Sequence, residues 1–189
     1  DTGAVAWRFD TNMPLGNSPS VSDGVVYVGG HDRNLYALSS QTGQLLWSFN
    51  LALSGYDANP LIVDGRVIIG NRDGYMYAIG AHGTPRQGEL IWKYKTGGPI
   101  HLAAAHKNGV IYFASNDNYA YALQADTGGL VWQSPKLPGD GFHSYWPVIY
   151  KDKVLLSLST SYRMGLDPGT RTITNPVDDT EYGQVRLME

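Results

Sequence analysis

The sequence predicts an all-β fold assembled from repeated, four-stranded antiparallel units. Three observations carry that expectation. Tryptophans recur at Trp7, Trp47, Trp92 and Trp132, spaced 40, 45 and 40 residues apart. Turn-forming pairs recur between them, at Asp23-Gly24, Asp64-Gly65 and Asn108-Gly109. The composition joins 23 Gly and 13 Tyr with only 16% charged residues, which suits many short strands joined by tight turns. Self-similarity at about 40 residues, with four strands in each period, is the pattern of a β-propeller.

The elements follow in order. Residues 4–9 read as the last strand of a unit and carry Trp7. The first full unit opens with a short strand at 19–22, and Asp23-Gly24 turns the chain into Val-Val-Tyr-Val at 25–28. Asp and Gly both tolerate the positive φ of a type I′ hairpin turn, so the pair marks a two-residue connection. A polar turn at 29–34 leads to Leu-Tyr-Ala-Leu at 35–38, and Thr42-Gly43 leads to Leu-Leu-Trp-Ser-Phe at 45–49. The second and third units repeat this with apolar runs at 67–69 and 110–113, then at 75–79 and 119–123. Each Trp has a glycine four residues earlier: Gly3, Gly43, Gly88 and Gly128. The longer second unit is explained by an insertion at 80–89, of the kind surface connections tolerate. A worn fourth unit aligns Val154-Leu155-Leu156 with the second strand and Met164-Gly165-Leu166 with the third, and places Ile173 at the Trp position. The division is therefore a strand end at 1–9, repeats at about 17–49, 58–94, 102–134 and 145–173, and an irregular tail or insertion at 174–189.

Composition narrows the function classes. A formal net charge of −3 gives no electrostatic footprint for nucleic acid. No apolar run approaches the roughly 20 residues that span a bilayer as a helix. With Cys 0, a disulfide framework, a thiol nucleophile and thiolate metal sites are excluded.

The segments Asp23-Gly24-Val25-Val26-Tyr27-Val28-Gly29, Leu35-Tyr36-Ala37-Leu38 and Thr42-Gly43-Gln44-Leu45-Leu46-Trp47 resemble the repeats of the quinoprotein-like (PQQ-binding-like) propeller family. The resemblance covers roughly residues 1–173. It implies a tryptophan-docking motif, in which Trp7, Trp47, Trp92 and Trp132 wedge between adjacent blades beside Gly3, Gly43, Gly88 and Gly128. It also implies a ring of seven or eight blades and a place outside the cytoplasm. The family holds alcohol and sugar dehydrogenases, and also non-catalytic members such as the lipoprotein that serves the outer-membrane β-barrel assembly machinery. A dehydrogenase of this kind implies a quinone with calcium, held by a Glu and an Asn or Asp, a catalytic Asp, and in many members a vicinal Cys pair. The chain has no Cys and only Glu89, Glu181 and Glu189, and no ligand position transfers residue by residue. No catalytic, cofactor-binding or metal-ligating residue is therefore assigned.

The segment at 139–147 is the most site-like. It is longer than its counterparts and rich in aromatics. With the matching connections of other units it predicts a binding surface at one mouth of the channel, formed by Tyr56, Asp57, Asn59, His101, His143, Tyr145 and Trp146. Aromatics with hydrogen-bonding tips suit protein or sugar contacts; a plug of the channel by Tyr145 and Trp146 is the equal alternative. His31 and His82 read as solvated and His106 as a strand-end residue. Asp32, Asp73 and Asp117 recur at one turn position, where a carboxylate bonds nearby backbone N–H groups.

The expected function is a non-catalytic propeller module for protein binding or assembly outside the cytoplasm, its partner another protein or the rest of a larger propeller. The alternatives are a fragment of a PQQ-dependent dehydrogenase, the one reading that brings PQQ and Ca, and a sensor or carbohydrate-binding propeller. At about 42 residues per unit, 189 residues hold about four and a half units, so the chain is expected to be part of a larger ring.

Overall fold

The computed structural model describes residues 2–139, 141–142, 145–158 and 184–188. Among these residues, fifteen strands form four antiparallel sheets. The first holds β1 (Ser20–Ser22), β2 (Val25–Gly29), β3 (Leu35–Ser39) and β4 (Leu45–Phe49). The second holds β5 (Leu61–Val63), β6 (Arg66–Gly70), β7 (Tyr75–Gly80) and β8 (Leu90–Lys95). The third holds β9 (Ala105–Lys107), β10 (Val110–Ser115), β11 (Tyr119–Gln124) and β12 (Leu130–Gln133). The fourth holds β13 (Val148–Tyr150), β14 (Lys153–Leu158) and β15 (Gln184–Met188). Within each sheet the strands pair in chain order, so every blade is a meander.

The turn chemistry is as the sequence dictates. Asp23 and Gly24 have φ of 49° and 76°, Asp64 and Gly65 of 47° and 71°, and Asn108 and Gly109 of 52° and 77°. Ser22 faces Val25 directly across the first of these two-residue turns. Strands three and four of each complete blade share a bulge at one place: after Ala37, after Ala78 and after Ala122. Each of these alanines lies opposite the blade's tryptophan, Trp47, Trp92 or Trp132. A small residue there leaves room for the indole to turn toward the next blade.

The core is divided into layers between consecutive sheets. One cluster joins Tyr27, Leu35 and Phe49 of the first blade to Val67, Ile69 and Tyr77 of the second. A second joins Ile68, Met76 and Trp92 to Ile111, Phe113 and Leu123. A third joins Ala114, Ala120 and Phe142 to Val154 and Leu156. Trp7 and Phe9 pack on Val28, Tyr36 and Leu38 in a fourth.

The tryptophans knit these layers. Trp7 Nε1 donates to Ser40 O at 2.8 Å, and Trp92 Nε1 donates to Ala125 O at 3.1 Å. Each ring lies on the turn glycine of the next blade. A Cβ added at Gly128 would sit 2.7 Å from the Trp92 ring, and one at Gly43 would sit 2.5 Å from Trp7. Trp47 lies against Gly88, but its buried Nε1 has no partner. The insertion at 80–89 explains this. Its Thr84 takes the Ala81 carbonyl with both Oγ1 (2.8 Å) and N (3.3 Å), and Ala81 is the counterpart of Ser40 and Ala125.

Two expectations need correction. Residues 4–9 form no strand, because among the described residues no strand pairs with them; Trp7 docks as a blade-end tryptophan nonetheless. The tail at 174–189 is not irregular throughout, since β15 pairs along the whole of Val154 to Leu158. That strand takes the place beside β14 expected for Met164-Gly165-Leu166. Val185 and Leu187 alternate with Gln184 and Arg186, a pattern too short to stand out. Residues 164–166, the turn at 167–170 and Ile173 lie outside the described residues.

In these meanders the turn between the second and third strands and the connection to the next blade lie at one end. The first strands lie innermost, with β1 beside β5 and β9 beside β13. The connections at 50–60 and 96–104 therefore meet the second-to-third-strand turns at a single mouth.

Candidate functional site

Asp57 is the centre of that mouth. Its connection is fixed from both sides: Tyr56 N donates to Gly30 O at 3.2 Å, and Arg72 N donates to Gly55 O at 3.3 Å. Asn71 Nδ2 donates to Ser54 O at 2.8 Å, and Leu53 N donates to Asp73 Oδ2 at 3.0 Å. The Asp57 side chain, 19% exposed, then accepts from three others. Arg72 grips it with two bonds, Nε to Oδ2 at 2.6 Å and Nη2 to Oδ1 at 2.7 Å. His101 Nδ1 lies 2.7 Å from Oδ2, and His31 Nε2 lies 3.1 Å from Oδ1. An ionised carboxylate only accepts, so both imidazoles present N–H to it. Burial pushes the Asp57 carboxyl up, but the Arg72 and His101 hydrogen bonds and charges outweigh this and hold it below the usual carboxylate range. The same contact raises the Arg72 guanidinium.

The expected site residues divide as follows. Asp57 and His101 come together. Tyr56 turns inward and is fully buried, its hydroxyl without a partner. Asn59 fastens the strand entry, accepting from Ser18 N at 2.9 Å. Tyr145 and Trp146 are exposed ahead of β13. His143 lies outside the described residues. His106 Nε2 accepts from Gly109 N at 3.1 Å, capping its own hairpin.

Sequence reasoning sets His31 aside as solvated and passes over Arg72. A signal for both exists. His31, Arg72 and Asn116 each precede the recurring Asp32, Asp73 and Asp117, so the repeat register puts all three at the mouth. The three aspartates cap their turns: Asp73 Oδ1 accepts from Tyr75 N at 2.9 Å, and Asp117 Oδ1 from Tyr119 N at 3.0 Å. Each also accepts a hydroxyl four residues on, Tyr36 on Asp32 at 2.5 Å, Tyr77 on Asp73 at 2.6 Å and Tyr121 on Asp117 at 2.7 Å. Burial, then the neighbouring carboxylate, pushes Tyr36 up to about 12 and raises Tyr77 and Tyr121 as well. These hydroxyls are fixed donors and not bases. The recurring Asp-x-x-x-Tyr spacing is the sequence signal for these pairs.

Comparison with known proteins adds the lineage. A family model described as outer membrane protein assembly factor BamB matches residues 1–86 and again residues 83–170. The chain belongs to this PQQ-like repeat family. Among its members, BamB of Yersinia pestis is 23% identical over 95% of this chain and 48% of its own length. The dehydrogenase subunit of a quinone alcohol dehydrogenase from Gluconacetobacter polyoxogenes is 31% identical over 71% of this chain and 14% of its own. The crystal structure of BamB from Moraxella catarrhalis superposes with a TM-score of 0.66 at 21% identity, covering 82% of this chain and 47% of that one. That likeness establishes the propeller fold. The chain spans about a third to a half of the length of the first curated relatives it matches.

Proposed function

We propose that this chain is a non-catalytic propeller module that binds other proteins outside the cytoplasm. One observation carries the reading. Leu51 and Leu53, 64% and 73% exposed, stand on the connection that Asp57, Asp73 and Asn71 hold rigid at the mouth. Exposed leucines on a loop fixed by so many hydrogen bonds present apolar area with little ordering cost on association. The BamB-like relatives support an assembly role, and their description as outer membrane protein assembly factors supports a place outside the cytoplasm. No helix among the described residues is long and apolar enough to cross a membrane.

The dehydrogenase relatives favour a second reading, which needs a quinone and calcium. The described carboxylates at the mouth do not fit that group. A hard cation needs several uncommitted oxygens. Asp57 accepts two bonds from Arg72 and one from each of two imidazoles. Asp32, Asp73 and Asp117 are taken by tyrosines and backbone, and Glu89 faces Arg86 on the surface.

A photo-crosslinking amino acid at position 53 is expected to give discrete higher-mass adducts in envelope preparations, and none from position 83 in the inserted loop. A uniform absence of adducts would count against protein binding. Titration with PQQ and Ca²⁺, followed by dye-linked alcohol oxidation, is expected to give no turnover. Turnover above the blank would overturn the non-catalytic reading.

A further inference from the structure

We propose that the cleft between the Asp64-Gly65 turn and the inserted loop at 80–89 binds a phosphate monoester between Arg66 and Arg86. In the meander both connections lie at the end of the blade opposite the mouth, so the cleft is separate from the Asp57 cluster and independent of the protein-binding reading above. It has a volume of about 330 Å³, and its walls include Asp64, Arg66, Thr84, Pro85, Arg86 and Ile91. That is at the small end of ligand cavities and suits a compact solute or a single headgroup. The two arginines depart from the repeat. In the first and third blades the counterparts of Arg66 are Val25 and Val110, and the shorter turns at 39–44 and 124–129 hold no arginine.

Arg66 Nη1 donates to Asp64 O at 2.9 Å, which draws the guanidinium back over its own turn. Its Nε is buried and has no partner. A buried cationic N–H without an acceptor is costly, and an oxyanion in the cleft supplies one. Arg86 Nε lies 3.3 Å from Glu89 Oε2, and Nη2 donates to Leu90 O at 2.5 Å. Its Nη1 donates to no described residue, and the side chain is 52% exposed. Asp64 is the one carboxylate in the wall, so cationic side chains outnumber it in a chain that carries −3 overall. Two guanidinium forks suit a phosphoryl group, whose three terminal oxygens accept from both at once, better than a carboxylate with two. The loop is fixed before any ligand arrives. Gly88 N donates to Gly80 O at 2.8 Å, Glu89 N to Arg86 O at 3.0 Å and His82 N to the Tyr27 hydroxyl at 3.0 Å. Gly80 leaves no room for a Cβ beside Arg86 O. Arg86 therefore stands on a rigid backbone, and binding orders its side chain alone.

The test follows backbone amide NMR signals of the chain during titration with glycerol 3-phosphate, with glycerol as the blank. Saturable shifts are expected at 64–66 and across 83–91 with the phosphate ester, and none with glycerol. Arg66→Gln and Arg86→Gln should each weaken binding by about tenfold. Arg8→Gln, which removes an equal charge from a side chain 80% exposed elsewhere, should bind as the wild type does. Arg86 stands on an exposed loop, so its variant should keep the wild-type melting profile and carries the test if Arg66→Gln fails to fold. A second arm sediments the chain with phosphatidylcholine vesicles, with and without phosphatidic acid. Sedimentation that needs phosphatidic acid and is lost in Arg86→Gln assigns the phosphate to a lipid headgroup, whereas a response to glycerol 3-phosphate alone assigns it to a soluble ester. No response in either arm, an unchanged affinity in Arg86→Gln, or an equal loss in Arg8→Gln overturns the proposal.

Discussion

Replacing Trp92 by alanine is expected to destabilise the chain by about 3–5 kcal/mol, the usual range for removing a large aromatic from a core. In a chain of this size that lowers the melting temperature by about 10 °C. Three losses add up. The ring is buried in the layer between the second and third blades, it covers Gly128, and it donates to Ala125 O. Removal leaves a cavity bounded by two sheets whose backbones are tied into their own ladders, so little collapse can fill it. Trp47 provides the internal control. Its Nε1 already lacks a partner, so Trp47→Phe gives up packing alone, whereas Trp92→Phe also strands the Ala125 carbonyl. Thermal or urea melts of the two Phe variants should differ by about 1 kcal/mol. Equal losses would show that the indole hydrogen bond contributes nothing.

Asp57→Asn is expected to cost about 2 kcal/mol at neutral pH, less than for a fully buried pair because Arg72 is partly in water. The amide keeps the shape but turns one acceptor into a donor facing Arg72, His31 or His101, and it removes the counter-charge. The pH dependence has a definite sign. The folded Asp57 carboxyl titrates below its unfolded value, so its stabilisation is complete above the unfolded value, near 4, and disappears as the pH falls through the folded one. Wild type and Asp57→Asn should therefore differ most near neutral pH and converge as the pH falls through the folded value of the Asp57 carboxyl. A difference that stayed constant down to that pH would mean that the carboxylate charge is not what holds the three loops.

Much of this architecture is legible in residue spacing. Asp23-Gly24, Asp64-Gly65 and Asn108-Gly109 set two-residue turns by local sterics, so hairpins can be placed to within a residue or two. Trp and Gly four apart reveal the docking contacts because both members of the pair recur. The site is less legible. Asp57 and His101 can be placed at the mouth by register, but their meeting depends on how far each connection reaches over the channel. His31 and Arg72 sit in turns whose polarity looks like ordinary solvation, and only the convergence of three blades makes them partners. Residues 4–9 and Gln184–Met188 show the opposite failure. Strand identity there depends on which neighbours are present, and that is not a property of the segment itself.

The layered division of the core has a consequence for how disturbances spread. Each core cluster among the described residues joins consecutive units, so the molecule behaves as a row of coupled slabs and not as one drop of hydrocarbon. In such a row the free energy is a sum of slab terms and junction terms. A defect at the Trp7 junction can reach the Phe142 layer only by passing through two intact junctions. Substitutions in non-adjacent junctions should then combine additively, whereas two in one junction should not. Sequence change can accumulate in one junction without consulting the rest, which explains how a chain can carry an inserted loop that leaves Trp47 short of a hydrogen bond while its neighbours keep theirs.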